Sequence, residues 1–274
     1  MASDHQHSGG SDGKDDVEDL KAADAKALHQ AVREDGESEL DRPVRSLFFS
    51  GLAGGMAITS SLVAEGALHD GLPESPWRDL VVALGYPIGF VVVILGRMHL
   101  FTESTITAML PLVAKPSRHA LKRTLRLWAV VLVANLTGTA ITGWAIAAGL
   151  LAPDLREAIV GISLGITELS PWATFVNAIP AGFGIAIVAW ALPNARGEGF
   201  LVIFAITYVV AIGGFSHSVV GSDQAFVLMF AGLTGLAQTF GALLLPAILG
   251  NLLGGAGVFA LLAHAQVRVE IKDQ

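Results

Sequence analysis

The chain has 274 residues, of which 53% are hydrophobic and 15% charged, and its mean hydropathy is +0.60. That is too apolar for a soluble domain of this length, and the apolar residues fall in runs long enough to cross a bilayer. There is no cysteine, which excludes disulfides and thiol chemistry, and the net charge of −7 is confined to residues 1–42, where 12 Asp/Glu face 5 Lys/Arg.

The opening MASDHQHSGGSDGKDD has the composition of a disordered tail. Val17, Leu20, Ala23, Leu28 and Val32 recur at roughly helical spacing, so 17–35 could form at most a surface helix at the membrane face. Residues 1–42 are thus expected to be an acidic, largely disordered cytoplasmic tail, followed by a transmembrane domain over 43–265 and a short cytoplasmic tail over 266–274. The polar start does not read as a cleavable signal, which leaves the first apolar span to direct insertion.

Six apolar segments follow: 45–68, 79–101 continuing into 104–114, 125–150, 172–193, 199–214 continuing into 218–233, and 236–264. Each full span has about 20 residues or more, enough for ~30 Å of hydrocarbon. The connection KPSRHALKRTLR carries five Lys/Arg, and Arg42, Arg45, Arg196, Arg268 and Lys272 fall on the same side, whereas the opposite connections hold Arg78 and Arg156. This bias predicts that both termini are cytoplasmic. Glycines at 51, 54, 55, 182, 184, 250, 254, 255 and 257 predict close helix approach.

Two stretches interrupt apolar spans with polar groups: LGRMHLFTEST at 95–105 and GGFSHSVVGSDQAF at 213–226. Within lipid, a broken helix persists only if it is buried or lines a cavity. One break in the middle span of each half is the pattern of an inverted 3+3 repeat with a transport site where the breaks meet. The expected pairing sets Phe101-Thr102-Glu103-Ser104 against Phe215-Ser216-His217-Ser218. An imidazole at membrane depth is a functional candidate by default, able to donate to an anion or exchange a proton. His217 is therefore the first site candidate, with Thr102 presenting its hydroxyl and N–H. Ser104 and Thr105 are expected to cap the restarted helix. Leu100 and Phe101 on one side and Phe215 on the other are read as apolar constrictions, with plain helix packing the alternative for the phenylalanines and Ser216 beside the histidine. Arg97 and Glu103 are expected to pair across the break and hold its loop, with direct substrate contact as the alternative. His99 shares this charged segment, and Asp223 is read as facing a subunit interface or capping the second half of the fifth span. Glu65 is read as lying at the outer membrane face. His5, His7, His29, His69, His119 and His264 lack metal-ligand spacing.

Three motifs carry a resemblance across roughly 43–265: Leu100-Phe101-Thr102, Gly214-Phe215-Ser216-His217-Ser218, and the run from Pro246 through Gly250-Asn251 to Gly254-Gly255. They resemble the broken second helix, the broken fifth helix and the sixth helix of the formate/nitrite transporter (FNT) family. The resemblance implies an all-α membrane protein, with an aquaporin-like protomer of six transmembrane helices in an inverted 3+3 repeat. It also implies a homopentamer in lipid, in a bacterial inner membrane, and a central pore histidine at His217. The substrates implied are small monovalent anions or their conjugate weak acids, with proton involvement; no cofactor, metal, catalytic residue or nucleic-acid partner is expected. Departures mark a divergent branch: His99 stands where better-known members commonly have an acidic residue, Gly182 where some have Asn, and no Asn follows His217. The alternatives are an aquaporin-like neutral-solute pore, which should show two Asn-Pro-Ala repeats that this chain lacks, and a non-transporting membrane scaffold or sensor.

Overall fold

The computed structural model describes residues 24–195 and 197–272; Arg196 and the opening stretch 1–23 lie outside the described residues. Every regular element described is helical: α1 Ala25–Asp41, α2 Val44–Gly71, α3 Arg78–Leu95, α4 Phe101–Ala114, α5 Arg118–Ala147, α6 Pro153–Leu164, α7 Pro171–Asn194, α8 Gly199–Ile212, α9 Ser218–Phe230 and α10 Gln238–Arg268. Five of them, α2, α3, α5, α7 and α10, are long and apolar enough to cross a membrane by themselves. The 13- or 14-residue pieces α4, α8 and α9 are each about 20 Å long, too short to cross alone. The second span is therefore α3 plus α4 and the fifth α8 plus α9, which completes six passages in two three-span units.

Local chemistry sets the helix starts. Asp24, Ser117 and Ser170 accept hydrogen bonds from the N–H groups of Ala27, Ala120 and Ala173, each the N-cap bond of the helix that follows. Pro153 and Pro171 open α6 and α7, where a missing N–H costs nothing.

Two expectations change, and one helix is new. In the tail expected to be largely disordered to residue 42, with at most a surface helix over 17–35, Ala25–Asp41 is a helix. Its Val32 is buried with Ile106, Leu110, Ala186, Ala189 and Ala260, a cluster that the surface-helix reading could not foresee. The connection between the third and fourth spans contains α6, whose Ala158, Ile159 and Ser163 are buried; Ile159 packs with Leu62, Ile146 and Val227. The breaks fall earlier than expected, at 96–100 and 213–217, and Phe101-Thr102-Glu103-Ser104 lies within the restarted helix.

Candidate functional site

The two breaks share one backbone design. Gly96 and Gly213 terminate α3 and α8, each donating its N–H to a carbonyl four residues back. The next residue is left-handed in both: Arg97 at φ 54° and Gly214 at φ 63°. Met98 and Phe215 then donate back to Val93 and Val210 at 3.0 and 3.1 Å. Three residues past the left-handed position the chain restarts as helix, with Leu100 and His217 at the N-cap in nearly the same extended conformation. The equivalent of His217 in the first repeat is thus Leu100, not Glu103 as the expected alignment had it.

Each restart is held by an asparagine from the third span of its own repeat. Asn135 of α5 accepts from the Phe101 N–H at 2.8 Å and donates to the carbonyls of Gly51 and His99. Asn251 of α10 accepts from the Ser218 N–H at 2.7 Å and donates to the carbonyls of Ala178 and Ser216. Both are fully buried, so each satisfies backbone groups that would otherwise be stranded without water. Ser104 and Thr105, expected as caps, lie inside α4, and the Thr105 hydroxyl donates to the Thr102 carbonyl. Asn135 escaped the sequence reading; its signal was the Asn-Leu-x-Gly at 135–138, repeated at 251–254. Small residues make this approach feasible. A side chain on Gly55 would collide with the Asn135 backbone, and one on Gly182 with the Asn251 backbone.

The breaks meet at Thr102 and His217, whose Oγ1 and Nε2 are 2.8 Å apart. His217 Nδ1 accepts from the Val220 N–H at 3.3 Å, so the imidazole proton sits on Nε2 and is donated to Thr102. Phe90 lies edge-to-face on the ring, centroids 4.9 Å apart. A cavity of about 260 Å³ reaches His217, Phe215 and Ser216. A second, of about 780 Å³, reaches Leu100, His99, Arg97 and Glu103 on the side of α1. Leu100 lines the larger cavity and Phe215 the smaller. Phe101 lines neither and packs in the core.

The charged candidates separate. Arg97 is exposed and forms no ion pair with Glu103 among the described residues, although both line the larger cavity; the left-handed turn carries Arg97 outward while Glu103 sits on the first turn of α4. His99 is buried, 2.9 Å from the Ser50 hydroxyl, 3.9 Å from a Glu39 carboxylate oxygen and beside the Arg42 guanidinium. Glu39 in turn accepts from the Thr107 hydroxyl at 2.7 Å, which clamps α1 over this cavity; burial pushes the Glu39 carboxyl above its usual range. Asp223 neither caps α9 nor faces outward. It is 1% exposed inside the bundle and accepts from Thr142 of α5 at 3.3 Å. Glu65 is likewise buried and lines the smaller cavity. Among the described residues no cluster of His, Cys, Asp or Glu could hold a metal ion.

The sequence profile described as Formate/nitrite transporter matches residues 26–265. The chain belongs to the formate/nitrite transporter family. Inner membrane protein YfdC of Escherichia coli is 37% identical over 258 residues, 94% of this chain and 83% of that protein. A probable formate transporter of Methanothermobacter thermautotrophicus is 28% identical, over 77% of this chain and 84% of its own length. Two solved structures share the fold. An FNT family ion channel has TM-score 0.74 at 21% identity, covering 89% of this chain and 98% of that one. A pentameric formate channel with formate bound has TM-score 0.69 at 18% identity, covering 82% and 98%. The chain is an FNT membrane transport protein, not an enzyme, with the six-helix inverted-repeat protomer of that family. The family profile begins at 26, inside α1, so the family's common sequence includes the helix that the sequence reading had assigned to the tail.

Proposed function

We propose that this FNT protein conducts small monovalent anions, or their conjugate weak acids, through a pore centred on His217 and Thr102. The observation that carries this reading is the 2.8 Å contact between Thr102 Oγ1 and His217 Nε2, made where two broken helices meet and flanked by two cavities. Because His217 donates to Thr102, the threonine hydroxyl proton remains free to be offered to an anion, a donor in a desolvated site. Leu100 and Phe215 strip water on either side. The restarted helices α4 and α9 turn their N-terminal partial positive charge toward the same point. The pentameric formate channel of the same fold supports a homopentamer, and the E. coli relative supports a bacterial inner membrane. Basic residues in the connections support cytoplasmic termini.

The test is flux in proteoliposomes with formate, acetate, nitrite, hydrosulfide and chloride at two pH values. Wild type should move one or more of these. His217→Asn should change flux and its pH dependence while keeping the oligomer. Thr102→Val should lower flux with no matching loss of stability. An inert wild type, or unaltered flux and pH profile in His217→Asn, would end this assignment.

A further inference from the structure

Both nitrogens of His217 are committed, Nδ1 to the Val220 N–H and Nε2 to Thr102. To take up a proton the ring must first break its cap on α9. Proton exchange is better served by another group in the same cavity. Glu65 of α2 is 8% exposed and has no hydrogen-bond or ion partner among the described residues; its Oε2 is completely covered. Tyr86 of α3, also 8% exposed, has an unpartnered hydroxyl, and so does Thr174 of α7 at 6%. All three line the 260 Å³ cavity that ends on His217. Buried polar atoms without a partner cost free energy, and other such atoms lie scattered elsewhere in the chain, but these three gather on one cavity and so call for a polar species within it. An ionisable side chain inside a span, lining a cavity, points to a transported species or a proton.

The lining also limits what can bind. No Lys or Arg borders this cavity among the described residues, whereas Arg42 and Arg97 border the larger one. An anion on the Glu65 side therefore meets no compensating charge. The titratable and charged groups on the elements packed against this stretch of α2 are Arg78, Asp79 and Tyr86 on α3, Asp154, Arg156 and Glu157 on α6, and His217 and Asp223 on α9. Of these, only Tyr86 and His217 share the cavity with Glu65.

We propose that Glu65, assisted by Tyr86, is a proton-exchange site where a small weak-acid anion is converted to its neutral acid before passing His217. The Glu65 carboxyl O–H bond breaks as an O–H bond forms on the anion. The resulting Glu65 carboxylate is reprotonated by hydronium from the cavity mouth, and transport in the other direction reverses both steps. Tyr86 and Thr174 donate to the carboxylate while it is charged. This site presupposes the weak-acid pore proposed above.

The experiment compares wild type, Glu65→Gln and Tyr86→Phe in proteoliposomes containing a trapped pH dye, driven by a formate gradient. Each variant's assembly is checked by size exclusion and melting temperature. Glu65→Gln keeps the shape of the side chain, so it should assemble normally while formate-coupled acidification falls about tenfold or more, the loss expected for a positioned proton-transfer group. Tyr86→Phe should give a smaller loss. Mass spectrometry after dicyclohexylcarbodiimide treatment should find the adduct on Glu65, with labelling slowed by formate. Wild-type coupling in an intact Glu65→Gln oligomer would overturn the site. A Glu65→Gln chain that failed to assemble would shift the decision to Tyr86→Phe and to the labelling. A wild type that carried no weak acid would instead refute the pore reading. In that case, absence of a Glu65 adduct, or labelling indifferent to formate, would overturn this site too.

Discussion

Asn135 and Asn251 each hold one amide N–H and two carbonyls beside a helix break, nearly all of them buried. Replacing either by Leu should destabilise the protein by on the order of 3 kcal/mol, since stranded backbone groups cost more than the lost bonds were worth. Similar losses for both, measured as melting temperature in detergent, would follow from their equivalent geometry. Arg97 is a second residue-scale test. It holds a left-handed conformation that its counterpart, Gly214, adopts without a Cβ. Arg97→Gly should therefore be neutral or slightly stabilising, while Arg97→Val should cost about 1–2 kcal/mol. If Arg97→Gly lost stability as Arg97→Val does, the side chain would be holding the break through contacts rather than enduring it.

At the scale of elements, each repeat brings its first and third spans into backbone contact beside the break. Gly55 of α2 lies on Asn135 and Gly182 of α7 on Asn251. Gly55→Ala and Gly182→Ala should each cost about 1–3 kcal/mol by prying these helices apart. They should also disturb transport, because the helix that moves is the one positioning Asn135 or Asn251. The control is Gly161→Ala on α6, where nothing lies within 4 Å and no loss is expected. α10 departs from regular α geometry twice, in π-helical segments at Gln238–Leu244 and Leu253–Phe259 that flank the turn bearing Asn251. Such insertions are common at functional positions, and here they bracket the residue that caps α9.

Across the whole molecule, outward apolar rows such as Leu84, Ile88, Val92 and Leu95 on α3, and Leu245, Leu249 and Leu253 on α10, recur at helical spacing. In a membrane protein such rows face lipid or a neighbouring subunit and call for no polar cover. α1 behaves differently, since it docks beneath the bundle through Val32, Leu40 and the Glu39–Thr107 bond. His29 of α1 is buried with its Nε2 3.1 Å from His264 Nδ1; burial first, then the charges of His264 and Arg33, lower its pKa from 6.5 to about 4. A docked His29 is therefore neutral, while a released one takes up a proton below pH 6.5. Docking should be fully stable above pH 6.5 and lose stability as pH falls toward 4. His29→Phe should flatten that part of the profile, read as hydrogen exchange of α1 against pH. An unchanged acid slope in His29→Phe would assign the sensitivity to another group.

The sequence by itself determined what depends on local chemistry and on the solvent. Runs of apolar residues set the spans, because a bilayer leaves backbone groups no partner outside the helix. LFT at 100–102 and GFSHS at 214–218 marked the two breaks and drew attention to Thr102 and His217. Only the tertiary structure decided what depends on groups far apart in the chain. The breaks lie at 96–100 and 213–217 because a glycine and a left-handed residue end each helix while an asparagine more than 30 residues downstream starts the next; no local Ser or Thr could reveal that cap. Arg97 and Glu103, six residues apart, diverge because the left-handed turn carries Arg97 outward while Glu103 sits on the first turn of the restarted helix, whereas Glu65, Tyr86 and His217, spread over 150 residues, line one cavity. Sequence separation predicts contact only along a regular helix. Where the helix breaks inside a membrane, packing must satisfy every freed backbone group, and that requirement decides which side chains meet.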